Sequence, residues 1–465
     1  MSKGPNKPSP RRVDRETAFR MAVQRQQAGA GAEAIRLYQQ ILAVDPSYAP
    51  AWINIGVALR ALGRIDAGVA CLQRGVSLKS DDAPALSNLG NALRAAGRLE
   101  EARNSHLTAI AIDPVAGSFV YNLGLVLRDL GEFDAAIERF DAAEAIGYAP
   151  AELKWDRALA LLLRGDLERG FEAYEWRWQI PDAKPRSFEM PAWDGENIAD
   201  KALLVHAEQG FGDTIQFVRY LPMLADRAGS VVFECQEPLV RLFGSSPACR
   251  DVTVVARAAA PPPEHDVHVA LLSLAHLLGT DENSIPAPIS YLKPPAETPR
   301  VARKGNDLRV GLVWAGKPSH RNDRNRSLPF SAMAPLLETA GVDFYSLQLG
   351  DPADTVSRNG YSALLTDLRP AIKDFGDSAA LITSLDLIIS ADTAPAHLAG
   401  ALGCPVWTLI PFAPDWRWMS VREDSPWYPS MTLFRQNHPR DWTDVVERLC
   451  TALKDKVAEQ AAKRD

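Results

Sequence analysis

Cysteine is scarce: Cys71, Cys235, Cys249, Cys404 and Cys450 are the only five in 465 residues. They are scattered and odd in number, and no pair has C-x-x-C spacing, which excludes a disulfide framework and a zinc site. A reducing compartment is expected. Positive charge is not in excess either, since Lys+Arg 51 against Asp+Glu 58 leaves a net charge of −7. A nucleic-acid backbone requires a net cationic footprint, so a whole-chain nucleic-acid binder is excluded. Long apolar runs are missing too. The longest uncharged stretch, residues 398–414, is broken by Gly400, Gly403, Pro405 and Pro411 and reads as helix–turn–strand, not a membrane span. Residues 1–15 lack the apolar core of a secretory signal and read as a disordered basic tail. The expected location is cytoplasmic.

What is present is a folded composition, 46% hydrophobic and 23% charged, with length for about three domain-sized units. Glycine recurs with a fixed step. Gly63, Gly97, Gly131 and Gly165 lie 34 residues apart, and Gly56, Gly90, Gly124 and Ala158 keep the same spacing. Around them run Trp52-x-x-Ile55-Gly56-x-x-Leu59, Leu86-x-x-Leu89-Gly90-x-x-Leu93 and Val120-x-x-Leu123-Gly124-x-x-Leu127. The small residues let one helix approach the next, and the second glycine series supplies the turn between helices. The pattern resembles the tetratricopeptide repeat, as about five helical hairpins over residues 16–180.

Two polar columns keep the same step: Asn54, Asn88 and Asn122, and Arg60, Arg94 and Arg128. A carboxamide offers donors and an acceptor, so an asparagine ladder can hold an extended peptide whatever its side chains. These six residues are the expected acceptor groove. Protein-glycosylating transferases with repeat arrays use such a ladder, and this one is similar. The alternative is that they are consensus residues bonding neighbouring repeats.

Beyond a junction at 181–200 containing Trp193, short apolar runs alternate with helix-length segments. The runs are residues 202–206, 230–235, 252–255 and 267–271, then 309–314, 344–349, 385–390 and 406–410. This alternation predicts two parallel-sheet, Rossmann-like units, at 201–300 and 301–450, with 451–465 ending a C-terminal helix. Ligands bind such sheets at the carboxyl ends of strands. The loop after the first run holds Gly210, Gly212 and Asp213, with Asp213 a candidate helix cap or functional carboxylate. The loop after the fifth, residues 315–329, carries Lys317, Arg321, Arg324, Arg326 and His320 against Asp323, which points to an anion such as phosphate. After the seventh, Asp392-Thr393-Ala394-Pro395-Ala396-His397 opens a helix whose amides form an anion site, with Asp392 or Thr393 as cap and His397 as a further donor.

Together these loops resemble GT-B glycosyltransferases of the heptosyltransferase-like class, over most of residues 202–451. The His206–Asp213 stretch and the segments Asp415–Trp418 and Ser425–Pro429 are similar to bacterial repeat-fused transferases. The resemblance implies Asp213 as the catalytic carboxylate. It also implies Lys317, Arg326 and the Asp392–His397 helix start as the donor diphosphate site, with Ala394 standing where the family has glycine. The implied protein is an α-solenoid followed by a GT-B fold, moving sugar from a nucleotide sugar to a protein acceptor, such as a surface or flagellar protein, held by the repeats. No cofactor or metal is expected, because the chain has no D-x-D pair. The alternatives are a non-enzymatic scaffold with a degenerate transferase half, and a transferase with a glycan acceptor. Trp416, Trp418, Trp427 and Tyr428 are expected to pack a C-terminal helix over the cleft, or to stack on a base or sugar.

Overall fold

The computed structural model describes residues 14–257, 262–303, 305–320 and 322–462. The tail through Val13, Arg321 and residues 463–465 of the predicted C-terminal helix lie outside them. Among the described residues ten helices form five hairpins: α1 (Arg15–Gln27) with α2 (Gly31–Val44), α3 (Ala49–Ala61) with α4 (Ile65–Leu78), α5 (Ala83–Ala95) with α6 (Leu99–Ile112), α7 (Gly117–Asp129) with α8 (Phe133–Ala145), and α9 (Ala151–Arg164) with α10 (Leu167–Tyr174). The 34-residue glycines do what their spacing predicts. Gly63, Gly97, Gly131 and Gly165 end first helices at φ +74° to +96°, where an L side chain is strained. Gly124 lies where α7 crosses α8, and a Cβ there would come within 2.6 Å of the Phe140 ring.

Contacts divide the chain between Leu153 and Lys154. The fifth hairpin therefore belongs, from Lys154 onward, with the α/β part, although its sequence is a repeat. In the first unit, α1 packs on α3, α3 on α5 and α5 on α7, so first helices line the inside of the stack. Ala22, Ile35, Tyr38, Ile55 and Leu59 form one buried cluster, and Leu72, Leu89, Leu93 and Val126 another.

The second unit contains two sheets, all of whose strand pairs are parallel. The first comes from β1 (Ile198–His206), α11 (Phe211–Phe217), β2 (Ala228–Cys235), α12 (Glu237–Gly244), β3 (Thr253–Ala256), β4 (Val267–Ala270) and the short α13 (Leu274–Leu277). Its strand order is β3-β2-β1-β4. The second comes from β5 (Leu308–Val313), the helical turns α14 (Asp323–Arg326) and α15 (Phe330–Met333), β6 (Val342–Ser346), α16 (Asp354–Arg358), β7 (Thr366–Asp367), α17 (Phe375–Thr383), β8 (Leu387–Ala391), α18 (Ala394–Ala401), β9 (Val406–Ile410), β10 (Met431–Arg435) and α19 (Thr443–Ala462). Its order, β10-β9-β8-β5-β6-β7, reverses between β5 and β8, the switch point at which doubly wound sheets bind ligands.

All eight expected strands are present. Two more, β7 and β10, escaped the sequence reading because β7 is only two residues long and β10 follows an irregular aromatic segment. The junction also differs from a plain loop. Ala192 bridges His268 at the edge of β4, Trp193 N–H donates to the His268 carbonyl at 2.8 Å, and the Trp193 ring is buried. α11 runs straight into a 3-10 stretch, Val218–Leu224, containing Pro222. The C-terminal helix α19 does not cover a cleft; Trp442, Val445, Leu449 and Leu453 join the core of the second sheet.

Gly131 sits at φ +83° with open space where a Cβ would go, so Gly131→Ala isolates backbone strain. It should lower the unfolding free energy of the repeats by about 1–2 kcal/mol, with Gly131→Asn costing less. Urea midpoints followed by helical circular dichroism check both.

Candidate functional site

The carboxyl ends of β1, β5 and β8 open on one cleft of about 960 Å³ within the second unit. Gly210, Gly212, Asp213, Lys317, Arg326, Asp392, Thr393, Ala394 and His397 all line it. Residues singled out from three separated loops thus meet in one place. The polar column of the repeats is elsewhere, on α3, α5 and α7.

Asp213 is not the N-cap of α11. It is the third helical residue, and its Oδ2 accepts the N–H of the capping Gly210 at 2.8 Å. Its Oδ1 accepts a bond from Arg417 Nη2. Gly212 is glycine because α18 lies against it: a Cβ would be 2.9 Å from His397 Cδ2.

In the loop after β5, Arg326 Nη1 donates to the Asp392 carbonyl at 3.1 Å, joining the two switch-point loops. Gly316 allows this approach, since a Cβ there would be 2.7 Å from Arg326 Nη2. Ser327 Oγ accepts the Gly316 N–H at 2.9 Å and donates to Asp323 at 2.7 Å, which closes the loop on itself. Lys317 and His320 also line the cleft. Arg324 is exposed, and Arg321 lies outside the described residues.

The start of α18 departs from expectation. Thr393 is the N-cap residue but makes no side-chain capping bond; its hydroxyl donates to the Ala391 carbonyl at 3.2 Å. Asp392 does not cap either. Pro395 has no N–H, and that of Ala396 returns to the Thr393 carbonyl at 2.9 Å, which leaves Thr393 and Ala394 to meet an anion. The Asp392 carboxyl is raised above its ordinary range by burial and, next, by the Asp415 charge. His397 Nδ1 is 2.9 Å from the Tyr428 hydroxyl, and the ring stacks on Trp418 with centroids 5.2 Å apart. Burial, then the cations Arg417, Arg219 and Arg326, hold its pKa well below 6.5. It lines the cleft as neutral imidazole.

Arg417 is the principal residue the sequence reading passed over. Only 5% exposed, it bonds Asp213, Asp415 Oδ1 at 2.8 Å and Gln216 Oε1 at 2.6 Å, and its guanidinium lies 4.3 Å from the Trp416 ring centroid. Its position between two tryptophans in the Asp415–Trp418 segment was the available signal. Gln348 was missed as well: its carboxamide accepts from Trp314 and Ala315 N–H and donates to the Ala315 and Leu349 carbonyls, fixing the turn after β5. The four aromatics Trp416, Trp418, Trp427 and Tyr428 are buried. Trp416 and Trp427 pack edge-on to Phe171 of α10. Gly400 of α18 faces Tyr428, leaving none of the four open for stacking on a base. Among the described residues no group of three His, Cys, Asp or Glu side chains forms a metal site.

In the repeats, Asn122 Nδ2 donates to Ser87 Oγ of α5 at 3.2 Å, and Arg94 pairs with Asp129 of α7 at 2.6 Å. Arg128 contacts the same Asp129 at 3.4 Å. Asn54 is within hydrogen-bonding reach of the Tyr38 hydroxyl, which burial pushes up to about 12. Asn88 is half-buried. Arg60 is held below its usual pKa by burial and by Arg94. Much of the column thus braces one repeat against the next.

Tetratricopeptide repeat models match residues 26–93, 85–112 and 121–183. The chain therefore carries a tetratricopeptide-repeat array followed by an α/β region of two parallel sheets. Protein FlbA of Caulobacter vibrioides is 29% identical over 331 residues, 66% of this chain and 55% of that protein. The chain thus spans about half the length of this relative. Among solved structures, MamA is 24% identical with a TM-score of 0.31, covering 33% of this chain and 91% of its own. TTC0263, a tetratricopeptide-repeat protein of Thermus thermophilus, is 22% identical with a TM-score of 0.32, covering 36% and 93%.

The His397 environment sets a pH dependence. An unfolded imidazole takes its proton near pH 6.5, the folded one well below it. The stability this contributes is present above about pH 6.5 and is lost as pH falls from there toward the folded pKa. NMR should show no imidazole titration for His397 between about pH 8 and pH 6, the signal being assigned by its loss in His397→Gln. A midpoint inside that window would contradict the buried, cation-flanked geometry.

Proposed function

We propose that the chain is a glycosyltransferase with a GT-B arrangement, moving a sugar from a nucleoside diphosphate sugar to an acceptor hydroxyl. The observation that carries this reading is the convergence of Asp213, Lys317, Arg326 and the α18 amides on one cleft at the switch point of the second sheet. In the reaction the acceptor oxygen attacks the anomeric carbon as the bond from that carbon to the diphosphate oxygen breaks. The hydroxyl proton passes to Asp213, whose two held oxygens each keep a second lone pair. The departing diphosphate takes the bonding electrons, and Lys317, Arg326 and the amides of Thr393 and Ala394 neutralise it. His397, uncharged, orients a polar group of the donor without adding charge. Arg417 keeps the Asp213 carboxylate in place. The nucleotide sugar is a co-substrate, and its setting is cytoplasmic.

The acceptor in this reading is a protein on the repeat array. A second reading, in which the repeats serve assembly and a glycan accepts the sugar, is favoured by the bracing bonds of Asn122 and Arg94. Replacing Asn54, Asn88 and Asn122 together with Ala separates the two. The protein-acceptor reading predicts a raised acceptor KM with donor hydrolysis unchanged; loss of the bracing bonds alone, each contributing about 1 kcal/mol, would lower the thermal midpoint and leave acceptor KM as it was.

A panel of nucleotide sugars, read out by nucleoside diphosphate release, tests the activity itself. One donor should be consumed, and Asp213→Asn should abolish transfer while calorimetric affinity for the diphosphate is kept. Arg326→Ala should weaken that affinity, by less as salt is added. Turnover should survive EDTA; activity lost to the chelator would contradict leaving-group stabilisation by cations and amides alone.

A further inference from the structure

Between β1 and α11 lie two polar residues, Glu208 and Gln209, to which the proposed chemistry gives no part. Both are bonded to the last repeat hairpin. Glu208 Oε1 accepts from Arg177 Nε at 3.1 Å and from Nη2 at 2.9 Å. Arg177 lies in the 3-10 turn Glu175–Trp178 that continues α10, and it is 5% exposed. Its remaining donors are also used: Nη2 to Ser273 Oγ at 2.7 Å, Nη1 to Glu175 Oε1 at 2.5 Å, and Ser273 in turn donates to Glu175 Oε2 at 2.9 Å. Trp178 covers the guanidinium, 4.5 Å from its ring centroid. Gln209 Nε2 donates to the Tyr174 hydroxyl at 3.2 Å, and the Gln209 carbonyl accepts from Gln236 at 2.8 Å. The Tyr174 ring also lies 6.0 Å from that of Trp416, beside Arg417.

We propose that Arg177 and Tyr174 are positioning residues for the Gly210–Asp213 loop, so that the fifth repeat hairpin is a working part of the transferase half rather than the end of a separate array. The inference rests on the transferase reading for its kinetic consequence, but its geometry stands apart from it. The loop from β1 to α11 is four residues long and has no regular structure of its own. It is fixed by Arg177 at Glu208, by Tyr174 and Gln236 at Gln209, and by Asp213 at Gly210. The anchor at Glu208 is electrostatic and buried, and the other Glu208 oxygen has no hydrogen-bond partner among the described residues. Burial raises the Glu208 carboxyl to about 7, against the pull of Arg177. Without Arg177 that pull is gone: the buried carboxyl must take a proton or move toward water, and in both cases the loop loses its anchor at Glu208. A displacement of about 1 Å at a reacting group lowers turnover roughly 100-fold.

The test uses full-length Arg177→Met, Glu208→Gln, the double variant and Tyr174→Phe. Arg177→Met should lower kcat for donor hydrolysis about 10- to 100-fold, with donor KM little changed and a thermal midpoint that is lowered but stays above the assay temperature. Tyr174→Phe should have a smaller effect in the same direction. Glu208→Gln should act in the same direction, and the double variant should be little worse than Arg177→Met, because the two side chains form one anchor. Hydrogen exchange gives a second readout that needs no activity: amides of residues 207–213 should exchange faster in Arg177→Met, while those of β1 and β2 stay protected. An unchanged kcat in Arg177→Met, with wild type active, overturns the positioning role alone. If wild type turns over no nucleotide sugar, the transferase reading fails, and unchanged exchange at 207–213 then overturns the positioning role independently. Losses that multiply in the double variant, as for independent sites, also count against it.

Discussion

The geometry of the cleft depends on one buried guanidinium, that of Arg417. A cation out of water is tolerated only when it is paired and hydrogen-bonded, and removal of one partner from such a pair costs about 3–5 kcal/mol. Arg417 meets this requirement with Asp213 and Gln216 from α11 and with Asp415 from the loop after β9. Satisfying one charge therefore ties a helix beside one sheet to a loop of the other. Arg219, also buried, makes a second tie: it bonds the Trp427 carbonyl and the Tyr291 hydroxyl and lies between the Tyr291 and Tyr428 rings. A third, Arg241, grips Asp374 and Asp377 at the start of α17. These arginines hold the two sheets with their carboxyl ends facing, and that orientation creates the cleft.

Topology supplies the rest. In each sheet the chain begins at an inner strand, winds outward, and returns to the other side of that strand. The reversal leaves a crevice beside β1 in one sheet and between β5 and β8 in the other. Loops opening on such crevices are free of packing duties on the strand faces, so they can carry small and charged residues. Gly210, Gly212, Gly316 and Ala394 permit close backbone approach; Lys317 and Arg326 bring charge. The cleft also has an apolar part, including Leu347, Leu349 and Ile372, that would suit a base or sugar ring.

Much of this was legible in the sequence, for identifiable reasons. The repeats were plain because glycine at φ above +70° has no substitute, and its 34-residue recurrence is visible without any partner. The strands were plain because parallel sheets covered on both faces need near-continuous apolar runs. Cleft residues were found where a loop followed such a run. What escaped was long-range pairing. Nothing local in Trp416-Arg417-Trp418 says that the arginine reaches Asp213, more than two hundred positions away. Likewise Arg177 looked like part of a repeat, and its partner Glu208 like part of a glycine loop. The same reason hides a feature of α10, which is written as a repeat helix but packs through Phe171 against Phe217, Trp416 and Trp427. For the asparagine and arginine columns, sequence spacing identified the face but not the Ser87 and Asp129 contacts that occupy it.

The central claim is that the cleft at the β5–β8 switch point receives a nucleoside diphosphate. Hydrogen exchange of the full chain, with and without saturating nucleoside diphosphates, examines it most directly. The account predicts slowed exchange at 315–318 and 391–397, where backbone amides meet the phosphates, with the repeat helices α1 to α8 unaltered. Protection confined to the repeats, or none anywhere with each nucleoside diphosphate tried, would contradict it.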